Sequence, residues 1–491
     1  MKPIILFIIL GVWSPPRSFA TVINVGANYQ YKLLNQAFLV VKPGDSIVCH
    51  DLIIQGGLSV SNLSGTSEKW IYIMTSSGKT ITIQGGSNSI QFSDCAYLHI
   101  EGFTIQGQTG NGLNIDDAGT FDSPTHHIRI KGCTFQNISA TGNNDLLKLS
   151  GLDYFEILSC IFKNGAAGGS GIDMVGCHHG VIADNHFENM GSNSIQAKGG
   201  TSGIQILRNR FENGGARALN LGGSTGLAFF RPQNATSEAE NIEVIANVIK
   251  GSEAAVAFVG CREVNVSNNT ILFPKKWVIR VLQETVDVTR FLPCGNNSFY
   301  NNIVVLNNDV NIEANIGPNT APATFTFTKN LWYKTTVSGW QGPDLPGTIS
   351  GQIINDPKFS MGSDVILSSN SPAIGAGQPY DLPTKDIFGN VFSNPPSIGA
   401  FEAKPNISAV SDHEIKVKIF PNPFQDVLRF EWVDKGEKNI SIIGADGRIV
   451  RNGISNEQNS MWDCTDLPSG LYLISVKQNS KHLIKKLIKH E

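Results

Sequence analysis

Short alternations of apolar and polar residues recur along the middle of the chain with a nearly constant period. Four of them end in a phenylalanine, one further residue and an asparagine, in IRIKGCTFQN, FEILSCIFKN, GVIADNHFEN and IQILRNRFEN. The phenylalanines are Phe135, Phe162, Phe187 and Phe211, which recur every 24 to 27 residues. Because periods of about 20–50 residues are typical of stacked repeats, the pattern predicts a solenoid of short β-strands.

Each predicted coil has two readable strands. In the second strand the apolar residues come in pairs two apart, such as Ile128/Ile130 and Ile204/Ile206. Side chains alternate across a strand, so both members of a pair face one interior. An amide can bond to the same amide of the next coil, so we predict that the corner asparagines form a structural ladder. These are Asn185, Asn209, Asn247, Asn269 and Asn301.

The first strand of each coil predicts a polar strip on the outside of the solenoid. Its segments are GLNID, LLKLS, GIDMV, SIQAK and ALNLG, whose apolar residues can all face inward. The residues between them form an outward column of Asn114, Lys148, Asp173, Gln196 and Asn220. A second outward column contains Asp116, Ser150, Val175, Lys198 and Gly222. Neighbouring coils lie about 4.8 Å apart, so the strip suits an extended polymer.

Two long insertions, residues 222–240 and 274–297, interrupt the repeat beside this strip. Long insertions on one side of a solenoid tend to mark its binding face. The first insertion contributes Phe229, Phe230 and Arg231, either as a platform for sugars or packed on the solenoid. The second contributes Trp277, Arg280, Gln283, Glu284 and Arg290.

The two ends of the chain differ from its centre. Lys2, the apolar run 4–13 and the small residues Ser18 and Ala20 predict a signal peptide over residues 1–20. Residues 21–403 are assigned to the solenoid, 404–415 to a linker and 416–491 to a small β-sandwich. No segment after the signal is long and apolar enough to span a bilayer, so we predict no transmembrane segment in the mature protein.

Charge and cysteine content narrow the possible partners. The chain of 491 residues has a net charge of −3, which does not favour a nucleic-acid partner. A local basic cluster can still hold an anionic substrate. The eight cysteines show no zinc-binding spacing and are predicted to stack in the interior.

The repeated IxIxxN-x-F-x-N element of residues 90–306 resembles the right-handed parallel β-helix superfamily, which includes pectate lyases and other carbohydrate-active proteins. The resemblance implies an all-β fold, a right-handed parallel β-helix followed by the small C-terminal β-sandwich. Residues 416–491 resemble the C-terminal sorting domain of type IX secretion cargo in Bacteroidetes, through FPNPF, DGRIV, LPSGLYLISV and a basic tail. This implies the type IX secretion machinery as a partner and a protein that is secreted or attached to the cell surface.

Within the superfamily, SIQAKGG and RNRFENGG are similar to the alginate lyase and chondroitin lyase family of β-helix enzymes. Those enzymes use a lysine base and an arginine on neighbouring coils, often with calcium. The resemblance places Lys198 at the lysine position. The arginine position is not matched, because Asn220 and Gly222 stand in those columns. Calcium is left open, with no ligands named.

These features favour an enzyme, a polysaccharide lyase that cleaves an anionic, uronate-containing polymer by β-elimination. The reaction needs a base for the C5 proton, a cation beside the carboxylate and an acid for the leaving oxygen. The catalytic residues predicted from the sequence are Lys198, Arg231, Arg280 and His179. The substrate-binding residues predicted are Lys148, Asp173, Gln196, Asn220, Phe230 and Glu284.

Two other functions stay open. A glycoside hydrolase on the same scaffold needs a pair of carboxylates, and the sequence shows no clear pair. A non-catalytic cell-surface protein would bind a glycan without cleaving it. For each function we expect a monomer.

Overall fold

The computed structural model describes residues 20–379, 384–403, 415, 417–433, 435–444, 449–478 and 481–490. It divides into two compact units, Met1–Pro405 and Asn406–Glu491. The predicted signal peptide lies outside the described residues except for Ala20, and so does the predicted linker except for Ile415. No helix in the described residues is long and apolar enough to cross a membrane.

The first unit consists almost entirely of short strands. Its first strands are β1 (Val22–Val25), β2 (Ser46–Cys49), β3 (Ile53–Gln55), β4 (Leu58–Ser61), β5 (Ile71–Thr75), β6 (Ile81–Gln84), β7 (Ile90–Ser93), β8 (Ala96–Glu101) and β9 (Phe103–Gln106). One short helix, α1 (Leu34–Phe38), lies between β1 and β2 and packs Leu34, Ala37 and Phe38 into the core.

The central strands follow at regular intervals. They are β10 (Leu113–Asp116), β11 (Thr125–Lys131), β12 (Thr134–Gln136), β13 (Leu147–Ser150), β14 (Leu152–Leu158), β15 (Ile161–Lys163), β16 (Ser170–Val175), β17 (His178–Ala183), β18 (His186–Glu188), β19 (Asn193–Lys198), β20 (Thr201–Leu207), β21 (Arg210–Glu212), β22 (Arg217–Gly222), β23 (Ala239–Ile245), β24 (Val248–Lys250), β25 (Ala254–Val259), β26 (Cys261–Ser267), β27 (Thr270–Leu272) and β28 (Trp277–Leu282).

The last strands of this unit are shorter. They are β29 (Ser298–Tyr300), β30 (Ile303–Leu306), β31 (Ala314–Ile316), β32 (Thr326–Thr328), β33 (Leu331–Lys334), β34 (Thr348–Ser350) and β35 (Ile353–Ile354). Two 3₁₀ turns lie in the loops, at Leu227–Phe229 and Pro322–Thr324.

These strands stack into three parallel sheets that enclose one core. The ten-stranded sheet has the order β31-β28-β25-β22-β19-β16-β13-β10-β7-β4. The thirteen-stranded sheet runs β1-β2-β5-β8-β11-β14-β17-β20-β23-β26-β29-β32-β34, and the twelve-stranded sheet runs β3-β6-β9-β12-β15-β18-β21-β24-β27-β30-β33-β35. Each regular coil therefore has three strands, not the two predicted, because the segment around the repeated phenylalanine is itself a strand.

The interior repeats the sequence pattern. Phe135, Phe162, Phe187 and Phe211 stack with ring centroids 4.9, 4.7 and 4.9 Å apart. Asn185, Asn209, Asn247 and Asn269 each donate the side-chain amide to the next asparagine, over 2.9 to 3.0 Å. The ladder continues through Asn302 rather than the predicted Asn301, whose amide bonds to Gln378 instead. All eight cysteines are buried and free.

The second insertion is shorter than the sequence pattern indicated. Residues Trp277–Leu282 are not part of it but form β28, which pairs in register with β25. Strand β25 has the sequence AAVAFV, all of whose residues are buried. It lacks the apolar–polar alternation that marks the other strands. The sequence pattern therefore predicts too few strands in this coil.

The second unit is a small β-sandwich of two antiparallel sheets. Its strands are β36 (Val417–Phe420), β37 (Val427–Trp432), β38 (Lys438–Gly444), β39 (Ile449–Ser455), β40 (Asn459–Asp463), β41 (Gly470–Gln478) and β42 (Lys481–Lys489). The sheets have the orders β36-β37-β40 and β39-β38-β41-β42. Phe430, Ile440 and Ile474 lie in the shared core, and the basic tail forms the last strand, paired with β41.

Candidate active site

The outer face of the ten-stranded sheet carries the column predicted from the alternation. Strand register pairs Asn114, Lys148, Asp173, Gln196 and Asn220 one after another. Beyond Asn220 the column continues through Ala257, Arg280 and Asn315. We call this column, together with the neighbouring Lys198, the polar strip.

A second row of polar residues lies three positions before the strip residues, and its members are partly exposed except for Asp145 and Asn193, which are buried. Each member contacts the strip residue of its own coil. The pairs are Asn88–Gln91 (3.1 Å), Asn111–Asn114 (3.3 Å), Asp145–Lys148 (3.8 Å), Asn193–Gln196 (3.4 Å) and Arg217–Asn220 (2.9 Å). The row therefore gives most strip residues a polar partner within their own coil.

Four charged residues meet near the middle of the strip, and we call them the charged cluster: Asp145, Lys148, Asp173 and Lys198. The Asp173 side chain is only 4% exposed, and its Oδ2 atom accepts from the ammonium of Lys148. The ammonium of Lys198 lies 3.4 Å from the same oxygen. Two lysines from coils on either side therefore share one buried carboxylate, because Asp173 stands between them in the sheet.

Burial changes the acid–base behaviour of this cluster. Burial and the neighbouring Asp173 raise the pKa of Asp145 to about 7. Burial alone would lower the pKa of Lys148, but Asp173 and Asp145 outweigh it and raise that pKa. Lys148 therefore stays a cation at neutral pH, while Asp145 can still hold a proton.

Asp173 itself is closed to a substrate. Its Oδ2 atom faces the two ammonium groups, and its Oδ1 atom is buried with no hydrogen-bond partner in the part of the chain that the structure describes. An unpaired buried carboxylate oxygen is costly. The arrangement therefore holds the lysines in place at some expense of stability.

Two loops, residues 223–238 and 283–297, meet at the buried carboxylate of Glu238. Thr225 donates its backbone N–H to Oε1 over 2.9 Å, and the Thr285 hydroxyl donates to the same atom. The backbone N–H of Gly199 donates to Oε2 over 2.9 Å. Because Gly199 directly follows Lys198, this one carboxylate ties both loops to the chain beside the charged cluster.

Arg231 anchors the first loop on the thirteen-stranded sheet. Its guanidinium donates to both carboxylate oxygens of Asp153, over 2.7 and 2.8 Å, and to the Gly176 carbonyl over 3.0 Å. Burial would raise the pKa of Asp153, but hydrogen bonds from Arg231 and His178 lower it well below its usual range. Within the described residues no hydrogen bond of Arg231 reaches the charged cluster, so its contacts are those of an anchor.

His179 and Phe230 also lie apart from the cluster. His179 belongs to β17 of the thirteen-stranded sheet and stacks on Tyr154 at 4.9 Å. Phe230 is 0% exposed and packs against Phe291 at 5.1 Å. Of the two alternatives for the first insertion, packing on the solenoid therefore holds for Phe230, and Phe229 alone of the pair is exposed.

Arg280 and Glu284 form a second group farther along the strip. Arg280 stands three strands from Lys198, roughly 14 Å away at the usual strand spacing. Lys198 reaches back to Asp173, whereas Arg280 Nε donates forward to Asn315 over 3.2 Å. Glu284 pairs with Arg217 at 2.7 Å. The structure thus does not bring Arg280 to Lys198, because the two side chains extend in opposite directions.

Sequence reasoning did not assign Asp145, Arg217 or Glu238 to the site. Asp145 and Arg217 precede the apolar–polar alternation of their strands, which sets Arg217 out of register with Lys198. The available signal was the spacing of three that they share with Asn111 and Asn193. Glu238 gives no such signal, since its partners Thr225 and Thr285 come from two loops far apart in sequence.

No group of three or more histidine, cysteine, aspartate or glutamate side chains is arranged to hold a metal ion within the described ranges. The charged cluster offers two carboxylates, and Asp173 directs one oxygen to two ammonium groups. We therefore assign no calcium ligand.

Comparison with known proteins agrees with this architecture. Residues 71–271 match the family described as right handed beta helix region, and residues 418–490 match the secretion system C-terminal sorting domain. No curated protein matches the sequence significantly. The chain is thus a right-handed parallel β-helix protein with a C-terminal sorting domain of type IX secretion. That domain marks it for export to the cell surface or the medium.

Several solved structures overlap with the chain at low identity. A pectate lyase, Pel9A, is 14% identical with a TM-score of 0.44, over 79% of this chain and 97% of its own. An alginate lyase from Paenibacillus sp. str. FPU-7 is 15% identical with a TM-score of 0.36, over 68% and 99%. A GH136 lacto-N-biosidase from Eubacterium ramulus is 13% identical with a TM-score of 0.35, over 68% of each chain.

Proposed function

We propose that this exported β-helix protein is a polysaccharide lyase that cleaves an anionic, uronate-containing polymer by β-elimination at the charged cluster. The observation that carries the proposal is the pair of lysine side chains held on one buried carboxylate at the polar strip. Lys148, Asp173 and Lys198 together carry one net positive charge, which suits a substrate carboxylate.

Lys148 is the residue we assign to the substrate carboxylate. Its raised pKa keeps the ammonium charged, and its side chain is 22% exposed. A fixed positive charge beside the uronate carboxylate stabilises the negative charge that develops when the C5 proton leaves. The partly desolvated site strengthens this interaction relative to bulk water.

Lys198 is the residue we assign as the base. Once the substrate is bound, Lys198 first releases its ammonium proton to solvent. Its neutral amine then takes the C5 proton, the electron pair of that C–H bond forms the C4–C5 double bond, and the C4–O bond breaks. The leaving oxygen then takes a proton. Asp145, with a pKa near 7, is the carboxyl group of the cluster that can supply one at neutral pH.

The rest of the strip holds the polymer in register. Gln196 follows Asp173 in the column, is partly exposed and offers an amide donor and acceptor for sugar hydroxyl groups. Asn220, predicted as a further binding residue, is only 2% exposed and accepts from Arg217, so it supports the strip from below. Glu238 fixes the loops beside them. A row of polar side chains at one strand spacing matches an extended chain better than a compact small molecule.

One observation favours a glycoside hydrolase as the second candidate. Asp145 and Asp173 are neighbouring carboxyl groups, and the first has a raised pKa, as expected for a general acid. The hydrolase would need Asp173 as nucleophile or base. Asp173 is buried and bonded to both lysines, which disfavours that role.

The proposal is tested by incubating the mature protein with a panel of anionic polysaccharides and following the ultraviolet absorbance of unsaturated uronates. We expect absorbance to appear with one class of uronate polymer and to fall by about 10²–10⁴-fold in Lys198→Met, the usual contribution of a positioned base. Lys163→Met is the matched control, since Lys163 lies on the twelve-stranded sheet and pairs with Glu188.

Three results would contradict the lyase. New reducing ends without absorbance would favour the hydrolase. Retention on a glycan column without any cleavage would favour a binding protein. Full activity of Lys198→Met would remove Lys198 from the mechanism.

A further inference from the structure

Beyond the charged cluster, the polar strip carries a second basic group that the proposed reaction does not use. Arg280 occupies the strip position on β28, and Arg217 lies on β22 in the second row of polar residues described above. The Arg280 guanidinium stacks over the Trp277 ring at 4.4 Å. Arg217 is held by Asn220 at 2.9 Å and Glu284 at 2.7 Å.

The charges of this group do not cancel. Glu284 forms its ion pair with Arg217, and no carboxylate of the described residues lies within ion-pair distance of Arg280. Burial and the neighbouring positive charge of Arg217 lower the pKa of Arg280. An arginine remains charged even so, which leaves a positive charge on the strip whose environment favours a further anion.

The aromatic ring and the amide orient this free charge. Trp277 covers one face of the Arg280 guanidinium, and Asn315 accepts from its Nε atom over 3.2 Å. The terminal nitrogens of Arg280 have no hydrogen-bond partner among the residues that the structure describes. They form the planar fork that arginine uses to bind carboxylate or sulfate groups with two hydrogen bonds.

We propose that Arg280, supported by Arg217, is a second anion-binding subsite for the same polymer. It takes a carboxylate or sulfate group on a sugar residue about four positions from the residue held at the charged cluster. The Lys198 ammonium lies at Asp173 on β16, which is four strands before β28, the strand of Arg280. Four spacings are roughly 19 Å, and one spacing is close to the length of one sugar residue. That the ligand of this subsite is the substrate polymer rests on the proposed function. That the subsite binds an anion rests only on the contacts of Arg280.

Such a subsite makes binding depend on chain length. An oligosaccharide too short to reach from Lys198 to Arg280 gains nothing from the second site. A longer one binds at both sites, so its second contact is intramolecular and adds to the first. The protein therefore selects extended polyanions over short fragments and over neutral polymers.

Binding to an inactive background tests the subsite without relying on turnover. In Lys198→Met, dissociation constants are measured by calorimetry for uronate dimers and for oligomers of six or more residues, with and without Arg280→Gln. We expect Arg280→Gln to weaken the long oligomers about tenfold, as for one lost charge-assisted contact, and the dimers less than twofold. Arg208→Gln is the control, because Arg208 pairs with Asp184 at the corner between the thirteen-stranded and twelve-stranded sheets.

The outcomes separate the two proposals. If Arg280→Gln weakened the binding of long and short oligomers equally, or of neither, the second subsite would be contradicted. A length-dependent loss by Arg280→Gln in a protein that cleaves no polymer would support the subsite and contradict the lyase. A carboxylated and a sulfated oligomer of equal length, compared in the same assay, identify the anion, and equal loss on a neutral oligomer would also overturn the subsite.

Discussion

The asparagine ladder inside the solenoid and the charged cluster on its surface are both polar columns, yet they are built differently. In the ladder, Asn247 donates to Asn269 and accepts from Asn209, and the same exchange recurs in neighbouring coils. In the cluster, Asp173 binds Lys148 and Lys198, and no other coil among the described residues repeats this arrangement. One column satisfies its polar atoms, while the other leaves Asp173 Oδ1 unsatisfied.

The difference follows from the hydrogen-bonding capacity of the side chains. An amide is both donor and acceptor, so a column of identical amides can extend through any number of coils. A carboxylate only accepts and an ammonium only donates, so a column of identical charges would repel itself. A solenoid can therefore repeat amides to stabilise its fold. A cluster of mixed charges interrupts the repeat, and we explain it by the proposed catalytic role.

Breaking the ladder should give the largest effect on stability. Asn247→Ala removes the acceptor of two bonds from Asn209 and the donor to Asn269, all in the buried interior. We expect the free energy of unfolding to fall by about 3–5 kcal/mol, the cost of several unpaired buried groups. Urea denaturation measures it, with activity per folded molecule unchanged.

Asn164→Gly is the control for that variant. Asn164 belongs to an exposed row of amides on the outside of the solenoid, where it accepts from Asn189 and donates to Asn137. Its φ of 50° suits glycine, so the substitution adds no backbone strain. A similar loss of stability in both variants would contradict the claim that the buried ladder stabilises the fold more than the exposed row of amides does.

The ladder and the strip were predictable from the sequence to different degrees. Asn209 and Asn247 were identified because they recur at the same place in successive coils. The strip column through Lys148 and Asp173 was identified because strands alternate their faces. Asp145 was not, since it precedes the strand and its orientation depends on three-dimensional packing. Glu238 joins two loops that only the folded chain brings together.

Removing the Asp173 carboxylate, which Lys148 and Lys198 share, should lower the catalytic activity. In Asp173→Asn the two lysines lose the anion that holds them, so their geometry relaxes. We expect kcat/KM to fall by about 100-fold, equivalent to about 2.7 kcal/mol of transition-state stabilisation. Asp184→Asn, which alters a carboxylate paired with Arg208 at the corner between the other two sheets, should leave activity unchanged. Equal activity of the two variants would contradict a role for the cluster.

Breaking the Arg231–Asp153 pair should have a smaller effect, and one confined to the first loop. Both side chains are largely buried, so Arg231→Met leaves the Asp153 carboxylate without its main partner. We expect a loss of about 2 kcal/mol in stability, less than for a fully buried pair. Hydrogen exchange should show faster opening of residues 223–238. Unchanged protection there would contradict the anchoring role.

Asp145 should give an effect on stability that is seen only as a pH dependence. Its pKa is raised by burial to about 7 in the folded state, above its usual value of 3.8, so between these values the folded protein binds a proton that the unfolded chain lacks. Its contribution to stability is complete below about pH 4 and is lost as pH rises through about 7, by at most about 1.4 kcal/mol per pH unit. Asp145→Asn should remove this slope in urea titrations. An unchanged slope would mean that Asp145 is ionised in the folded state.

The central claim, that the charged cluster performs β-elimination, is tested most directly by weighing the products of cleavage. A defined uronate oligosaccharide is digested by the mature protein, and the masses of the two fragments are measured. Elimination adds no water, so we predict that the fragment masses sum to the mass of the substrate. A sum larger by one water molecule would show hydrolysis and contradict the account.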